Sequence, residues 1–566
     1  MSVFIGYPSF MAYQMMKGKK GNNDGFPSIP GMVARYSGAG LTNEEMSKNP
    51  VWKDLIGNGY DLQMKNFAWG GMSGVGGYVQ DFNYFRNNAT VDKVRIDEQS
   101  SNSIKVTLLT SGMGHVIYIP KNVYQFNKSY FIKISSEGYN EGDLFLSFYA
   151  PSTSTATTVK VPLNPNGITE IPAIKEDDFL AVYLFNAAGK VGSITIEQLP
   201  LYPGFILGDG VDDFAVTEKE LNFEDTYTVY TAFIPFQNNP TRNMILCGAD
   251  SKKTFSMQYS SLVYVSFIAG NNYYITADFV NGLNLFACKR NGNNICIKNL
   301  LTNKVVTGTC GDWVENAGPY YLWKNAAYAS FARAAIAGQT ICNGYFSTDE
   351  DDEKVLDWYK KQYPWLFPNQ AWTVTGKTNE DEDRATIANI TGNDNNLALQ
   401  NFGFIEGSGY NEEGEYAGYL VTDGVDDIIR SSAFTVGKDW TTVGEWEFLK
   451  EDAIKIAGIA KFNPFRFYNY SFIGRMNVYI NSDLGTNVIG ESVKAATSKG
   501  SVYLDFNSVT EVTPGDEVDL GQSLFIGYNV NNFTKLAFKN LAIYSAVLSK
   551  EDMIKAYIYL QTLKAK

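Results

Sequence analysis

Short stretches in which apolar and polar residues alternate, or apolar residues run together, recur along the chain and predict β-strands. Clusters of glycine, asparagine, serine and proline separate the stretches that lie between residues 100 and 200. Turn-forming residues at such short spacing favour a β-sandwich or jelly roll. The predicted strands of this region are residues 104–110, 116–119, 130–135, 144–149, 159–163, 179–185 and 194–196.

Two blocks of the chain recur at fixed offsets, which indicates an internal duplication. The segment GNGYDLQMKNF at residues 57–67 matches GNDNNLALQNF at residues 392–402, an offset of 335. The segment DGVDD occurs at residues 209–213 and again at residues 423–427, an offset of 214. Because the offset falls by 121 residues, the first copy contains an insertion the size of a small domain between residues 78 and 204.

Each copy is predicted to close with a short amphipathic helix. Thr348 and Ser549 each precede an aspartate three positions later, which is the usual start of a capped helix. Apolar residues follow at helical spacing. They are Val355, Leu356, Trp358 and Tyr359 in the first copy, and Met553, Ile554, Tyr557 and Ile558 in the second.

These patterns predict an all-β protein with two related β-sandwiches, the first of them split by a third. The first sandwich comprises residues 31–78 and 204–366, the inserted sandwich residues 79–203, and the second sandwich residues 371–564. Residues 1–30 show little periodicity and are interpreted as an N-terminal attachment extension that becomes ordered on a partner. The stretch 364–383 is expected to join the two copies.

The order of these segments resembles the laminin-G-like, concanavalin-like jelly roll. The elements that carry the resemblance are residues 57–67, 209–213 and 348–359 in the first copy, and residues 392–402, 423–427 and 549–558 in the second. The resemblance covers most of residues 31–566 apart from the insertion, which is similar to a carbohydrate-binding module. It implies lectin-like sandwiches, whose family sometimes holds Ca²⁺ at the rim.

Two further phrases resemble virion proteins of crAss-like bacteriophages that infect gut Bacteroidales. They are NFAWGGMSGVGGY at residues 66–78 and ITIEQLPLYPG at residues 194–204. The resemblance implies a structural protein of the virion, in a head fibre, tail fibre or decoration, assembled in the host cytoplasm. Its implied partners are other capsid or tail proteins, further copies of itself and host surface glycans.

Composition narrows the functional classes. The net charge of -13 gives no basic face for nucleic acid or for an anionic membrane. The five cysteines have irregular spacing, so neither a disulfide framework nor a zinc site is expected. No basic segment precedes the first apolar stretch and no run of about 18 apolar residues occurs, so neither a secretory signal nor a membrane span is expected.

The DGVDD segments are the candidate metal sites. Asp209, Asp212 and Asp213 form one acidic cluster, and Asp423, Asp426 and Asp427 form the other. Clustered carboxylates are the ligands that Ca²⁺ requires. Aspartate and glycine also build tight turns in which side-chain oxygens accept backbone N–H groups, and this interpretation accounts for the same residues without a metal. No other cofactor is expected.

Exposed aromatic residues are the candidate carbohydrate contacts, because sugar rings stack on aromatic faces. Six tryptophans lie near predicted turns, although large aromatic residues are usually buried in sandwich cores. They are Trp52, Trp69, Trp313, Trp323, Trp372 and Trp440.

Enzymatic chemistry has little support in the sequence. His115 is the only histidine, and no GxSxG segment accompanies it, so it is interpreted as a structural residue. The glycine-rich residues 70–77 lack the Lys-Ser/Thr pair of a phosphate-binding loop and are interpreted as the entry to the insertion. A glycosidase needs only two carboxylates, which 60 acidic residues cannot exclude.

The sequence therefore predicts a non-enzymatic structural protein of a bacteriophage particle whose lectin-like domains contact host glycans. Two alternatives stay open. One is a secreted or surface glycan-binding protein of a gut bacterium, and the other is a sandwich-fold glycosidase.

Overall fold

The structure is a computed structural model. It describes residues 24–88, 93–236, 244–249, 255–259, 262–269, 271–280, 282–313, 317–324, 331–414, 416–449, 458–461, 465–470, 475–478, 482–483, 494–504, 506–511, 521–529 and 532–565. Most of the predicted attachment extension, residues 1–23, therefore lies outside the described residues. Among the described residues, no helix is long and apolar enough to cross a membrane.

The first sandwich is formed by two stretches of chain on either side of the insertion. Its strands are β1 (Met32–Ser37), β2 (Val51–Trp52), β3 (Leu62–Lys65), β4 (Gly74–Val75), β15 (Ile206–Asp209), β16 (Phe214–Thr217), β17 (Leu221–Asn222), β18 (Thr226–Pro235), β19 (Met244–Ala249), β20 (Phe255–Tyr259), β21 (Val263–Ala269), β22 (Asn271–Ala277), β23 (Asn284–Asn291), β24 (Asn294–Asn299), β25 (Lys304–Thr309), β26 (Ala317–Gly318), β27 (Tyr320–Leu322) and β28 (Arg333–Asn343). Its helices are α1 (Asn43–Lys48) and α2 (Asp349–Gln362).

The insertion supplies the ten strands between β4 and β15. They are β5 (Arg86–Asn87), β6 (Val94–Gln99), β7 (Ser103–Leu108), β8 (Gly114–Pro120), β9 (Tyr130–Ser136), β10 (Leu144–Tyr149), β11 (Val159–Pro162), β12 (Ile168–Ile171), β13 (Ala181–Asn186) and β14 (Gly192–Gln198). The seven strands predicted for this region are all present, and β5, β6 and β12 were not predicted.

The second sandwich follows a 3₁₀ turn at Pro364–Leu366. Its strands are β29 (Gln370–Thr373), β30 (Thr386–Ile387), β31 (Leu397–Gln400), β32 (Gly409–Asn411), β33 (Tyr419–Val421), β34 (Ile428–Ala433), β35 (Thr441–Phe448), β36 (Gly458–Lys461), β37 (Phe465–Tyr470), β38 (Arg475–Val478), β39 (Ser482–Asp483), β40 (Ala495–Thr497), β41 (Ser501–Tyr503), β42 (Thr510–Glu511), β43 (Ser523–Ile526), β44 (Tyr528–Asn529), β45 (Asn532–Phe533) and β46 (Leu536–Tyr544). Helix α3 (Lys550–Thr562) ends it.

The two sandwiches have the same strand order. The front sheet of the first runs β25-β24-β23-β18-β28-β15-β4, with β1 also on β28. The front sheet of the second runs β42-β41-β40-β35-β46-β33-β32, with β29 on β46. The back sheets, β2-β3-β16-β27-β19-β20-β21-β22 and β30-β31-β34-β43-β36-β37-β38-β39, also correspond. Antiparallel sheets thus dominate the protein and confirm the predicted all-β fold class.

The insertion is a sandwich of two five-stranded antiparallel sheets. One sheet has the order β11-β10-β13-β8-β5 and is called the outer sheet below; the other has the order β12-β9-β14-β7-β6. The residues between them form a separate apolar core that includes Phe82, Ile117, Leu146, Leu184 and Ile196. This core lies entirely within the segment predicted to be inserted.

Helices α2 and α3 begin as the sequence predicts. The hydroxyl of Thr348 accepts the N–H of Asp351, and the Asp351 carboxylate accepts the N–H of Thr348, which completes a capping box. Ser549 accepts the N–H of Asp552 in the same way. Both helices pack into one apolar cluster that joins all three sandwiches, through Trp358 and Tyr359 of α2, Tyr557 of α3 and residues such as Phe131 of the insertion.

The segment that enters the insertion and the segment that leaves it run side by side. The N–H of Tyr202 donates to Gly76 O, and the N–H of Leu201 donates to Gly77 O. Beyond them, the Gln198 side-chain oxygen accepts the N–H of Gln80 at 2.9 Å, and its amide donates back to Gln80 O at 2.9 Å. The two phrases that resemble phage proteins therefore lie together at this neck.

The described end of the N-terminal segment packs on the first sandwich. Asp24 pairs with Arg35 at 2.7 Å, and the Arg35 guanidinium lies over the ring of Phe26 at 4.5 Å. Phe26 in turn contacts Trp358 of α2 with ring centroids 5.0 Å apart. Residues 24–30 are therefore in contact with the sandwich, although the sequence assigned them to the extension.

Candidate functional site

The acidic turn of the first sandwich connects β15 to β16 across the two sheets. Asp213 is buried, and its Oδ2 accepts the N–H of Asp209 at 2.9 Å. Asp209 Oδ1 accepts the N–H of Val211 at 2.7 Å, while Gly210 adopts a positive φ of 81°. Asn66, itself at a φ of 69°, donates to Asp212 O at 3.0 Å. These hydrogen bonds complete a tight turn.

The second sandwich repeats this turn. Asp427 Oδ2 accepts the N–H of Asp423 at 2.8 Å, and Asp423 Oδ1 accepts the N–H of Val425 at 2.7 Å. Asn401 donates to Asp426 O at 2.9 Å, and the Ser408 hydroxyl donates to Asp427 Oδ1 at 3.2 Å. The asparagine near the end of the first repeated block therefore donates a hydrogen bond to the second block in both copies.

Burial controls the protonation of the two inner carboxyl groups. It raises the pKa of Asp213 to about 7, although the N–H of Asp209 and the hydroxyl of Ser73 act in the opposite direction. Burial likewise raises the pKa of Asp427 to about 6. A carboxyl group that holds its proton near neutral pH contributes little charge to a bound cation.

The geometry does bring the predicted metal ligands together. In each turn one oxygen from each of the three aspartates lies within 4.8 Å of the others, with the middle aspartate exposed. However, Asp209, Asp213, Asp423 and Asp427 each use an oxygen to accept a backbone N–H. The turns are thus held by their own hydrogen bonds, and the Ca²⁺ site stays a prediction.

The tryptophans considered as sugar contacts are mostly core residues. Trp52, Trp323, Trp372 and Trp440 are buried. The indole N–H groups of Trp52 and Trp323 donate to backbone carbonyls. Trp69 and Trp313 are half-buried and pack against the core of the first sandwich. None of the four buried indoles can offer its face to a ligand.

A cluster of aromatic side chains that reaches the surface lies instead on the inserted sandwich. Tyr183 is at its centre: its ring centroid is 4.3 Å from that of His115, 5.6 Å from Tyr118 and 5.9 Å from Tyr149. His115 also contacts Phe185 at 5.2 Å. All five side chains are half-buried. We call these residues, with Phe145 beside them, the aromatic face.

The aromatic face follows from the strand register of the outer sheet. Tyr183 lies directly opposite Tyr118 on β8, and Phe185 lies opposite both His115 on β8 and Phe145 on β10. The alternate residues, such as Ile117, Leu146 and Leu184, fill the core. The sequence contained a sign of this surface. In these strands the residues that alternate with the apolar core residues are aromatic, where polar residues would be usual on a solvent-facing side.

His115 therefore belongs to this surface, where its ring lies among aromatic side chains. Its ring contacts Tyr149, Tyr183 and Phe185. Partial burial, followed by the charge of Lys160, lowers the pKa of His115. The imidazole is thus neutral at physiological pH and acts as a further flat ring.

One pair of carboxylates merits comparison with a glycosidase. Glu445 and Glu447 alternate along β35 and point to the same face. Tyr419 donates to one oxygen of Glu445, and Lys539 binds the other at 3.1 Å. Burial would raise the pKa of Glu445, but Lys539 and Tyr419 together keep it below its usual value. Both oxygens of Glu445 are therefore engaged within the fold.

Comparison with known proteins leaves the function open. No family model and no curated protein matches the chain. The receptor-binding domain of botulinum neurotoxin type G is 12% identical with a TM-score of 0.23, covering 40% of this chain and 64% of that one. The chain thus spans less than two thirds of that domain.

Two further solved structures are similarly distant. Domain 4 of AbnA, an extracellular arabinanase from Geobacillus stearothermophilus in complex with arabinotriose, is 15% identical with a TM-score of 0.20, covering 27% of this chain and 80% of that one. The receptor-binding domain of botulinum neurotoxin mosaic serotype C/D is 9% identical with a TM-score of 0.29, covering 62% and 90%. Scores this low carry no argument about function.

The raised pKa of Asp213 predicts a pH-dependent stability. The pKa of an aspartate in the unfolded chain is about 3.9. Between about pH 4 and pH 7 the folded protein therefore binds more protons than the unfolded chain, and its stability falls as the pH rises through this range. Asp213→Asn keeps an acceptor for the Asp209 N–H but cannot ionise. We expect its melting temperature to fall less than that of the wild type between about pH 5 and pH 8.

Asp212→Asn is the matched control, because Asp212 belongs to the same turn but is exposed. It should retain the pH dependence of the wild type. An equal fall in melting temperature for Asp213→Asn and the wild type would contradict the assignment.

The hydrogen bonding of the turns predicts that neither Ca²⁺ nor a chelator changes stability. Thermal unfolding of the whole protein, measured with millimolar CaCl₂ and with EDTA, should give the same melting temperature. A rise with Ca²⁺ that disappears in Asp209→Ala and Asp423→Ala would establish the metal site and overturn this expectation.

Proposed function

We propose that this protein binds glycans through the aromatic face of its inserted sandwich. The observation that carries the proposal is the cluster of half-buried rings around Tyr183 on the outer surface of a β-sheet. A sugar ring has apolar C–H faces and polar edges. Tyrosine suits it on both counts, since the ring packs against C–H groups while the hydroxyl makes hydrogen bonds.

The surroundings of the face support an extended ligand. The outer sheet is an open surface five strands wide, and the rings of Tyr118, Tyr149 and Tyr183 present a broad apolar area on it. Contiguous exposed apolar surface is uncommon on soluble proteins unless it serves recognition. The other explanation is that these rings only stabilise the sheet as cross-strand pairs. Stability and binding measurements distinguish the two.

The proposal predicts that Tyr183→Ala weakens glycan binding at least about tenfold, as expected for removal of a central aromatic contact. Affinity electrophoresis of the purified protein in gels that contain plant and bacterial polysaccharides measures the effect. Tyr183→Phe keeps the ring and should retain most of the affinity. Tyr84→Ala is the control, because Tyr84 is an exposed tyrosine of the same domain, outside the face.

Melting temperatures of the same variants complete the test. A variant Tyr183→Ala that is destabilised but binds glycan as well as the wild type would contradict the proposal and leave the rings with a purely structural role.

The particle that carries this activity is, in our proposal, a bacteriophage virion, with the protein as a head-fibre, tail-fibre or decoration component. Support comes from the resemblance of residues 66–78 and 194–204 to virion proteins of crAss-like phages. Contact with other virion proteins and with further copies of the chain belongs to the same proposal. The glycan would then be a component of the host surface.

Mass spectrometry of purified particles tests the virion assignment. Peptides from this chain should be enriched with the capsid proteins through a density gradient. Its absence from the particles, together with its recovery from the envelope of a bacterial cell, would favour the alternative of a bacterial glycan-binding protein.

A further inference from the structure

The charges on the outer sheet are all of one sign. A single row of paired residues crosses the sheet from Lys160 through Ser147, Tyr183 and Tyr118 to Arg86. With strands about 4.8 Å apart, the two cationic ends of the row are separated by roughly 19 Å. The aromatic face lies between them.

Lys160 is the cation closest to the rings. Its Nζ is 4.6 Å from the ring centroid of Phe185 and 6.0 Å from that of Phe145. The side chain is exposed, and within the described part of the chain no carboxylate lies within ion-pair distance of it. Its positive charge is also close enough to His115 to lower the pKa of that imidazole.

Carboxylates are absent from the outward positions of the five described strands of this sheet. The outward phase carries aromatic, small and proline residues besides Arg86 and Lys160. Of the acidic side chains near the ends of these strands, Asp143 pairs with Lys190 at 2.5 Å and Glu176 with Lys121 at 3.5 Å, while Glu141, Asp177 and Asp178 are exposed in the loops beyond the sheet. The chain has a net charge of -13, so a sheet surface whose charged side chains are all positive differs from the protein as a whole.

The Lys160 ammonium group, which has no carboxylate partner among the described residues, lies beside rings on which a sugar can stack. This combination suits a sugar that carries a negative charge. A sugar that carries a carboxylate or a sulfate can place its ring on the tyrosines and its anion near Lys160. Like charges elsewhere on the protein would repel the same ligand, so the complementary patch also orients its approach.

We propose that the aromatic face selects anionic glycans, whose carboxylate or sulfate groups are bound by Lys160. This inference rests on the proposed glycan-binding function and specifies its ligand class. Lys160 is a specificity-determining residue in this arrangement, while the rings around Tyr183 supply the contact that any sugar would use.

The test compares two polymers that share a backbone and differ in charge. Affinity electrophoresis is run with polygalacturonate and with its highly methyl-esterified form, and a second pair, dextran sulfate and dextran, distinguishes sulfate from carboxylate. We expect the wild type to bind the anionic member of at least one pair more tightly, with an affinity that falls as salt is added.

Lys160→Gln should lose roughly two- to fivefold of the affinity for the anionic polymer, the size expected of one exposed charge pair, and none for the neutral polymer. Lys133→Gln is the matched control, because Lys133 is an exposed lysine on β9, in the other sheet of the same sandwich. It should bind like the wild type.

The outcomes separate this inference from the function on which it rests. Equal affinity of the wild type for charged and neutral polymers, with loss of both in Tyr183→Ala, would overturn the anionic preference and leave glycan binding in place. An anionic preference that survives in Lys160→Gln would overturn the role of Lys160. Absence of binding to every polymer would overturn both proposals.

Discussion

The architecture depends on a front sheet that is apolar on both faces. In β18 nearly every residue is buried: Val229 and Phe233 enter the core between the sheets, whereas Tyr230 and Ala232 enter the cluster on the opposite side. A sheet of this kind has to be covered twice. Helix α2 covers the second face of the first sandwich, α3 does so in the second, and the shared cluster holds the sandwiches together.

The same constraint fixes how the insertion is placed. Phe131 of β9 points away from the core of its own sandwich and packs against Tyr557 of α3, with ring centroids 5.6 Å apart. Ile168 of β12 exchanges two hydrogen bonds with Asn507, and Glu170 pairs with Lys494 at 3.2 Å. Because these contacts use the sheet that contains β9 and β12, the outer sheet faces away from the two repeated sandwiches.

Much of the fold could be predicted because turns and helix caps use few residue types. Asp209 and Asp213 were recognisable as a repeated turn, and Thr348 and Ser549 as helix starts, from local hydrogen-bonding chemistry alone. The sequence could not show which of two neighbouring residues would face the core. Asp212 and Asp213 are adjacent and identical, yet only Asp213 is buried, and four of the six tryptophans near predicted turns are buried in the cores. Such differences depend on sheet pairing between residues far apart in sequence.

The location of the aromatic face argues for a division of roles within the chain. Were ligand binding a property of the repeated sandwich, exposed rings would be expected at equivalent positions in both copies. Instead the helix-facing positions diverge: Ala232, at the bulge of β18, lies in the shared apolar cluster, whereas Glu445, at the matching bulge of β35, binds Lys539. Half-buried ring pairs also occur on the repeated sandwiches, such as Tyr416 with Tyr419, but the larger cluster around Tyr183 belongs to the one segment that has no duplicate. In the proposed function, the repeated sandwiches hold the insertion in place and the insertion is the contact surface.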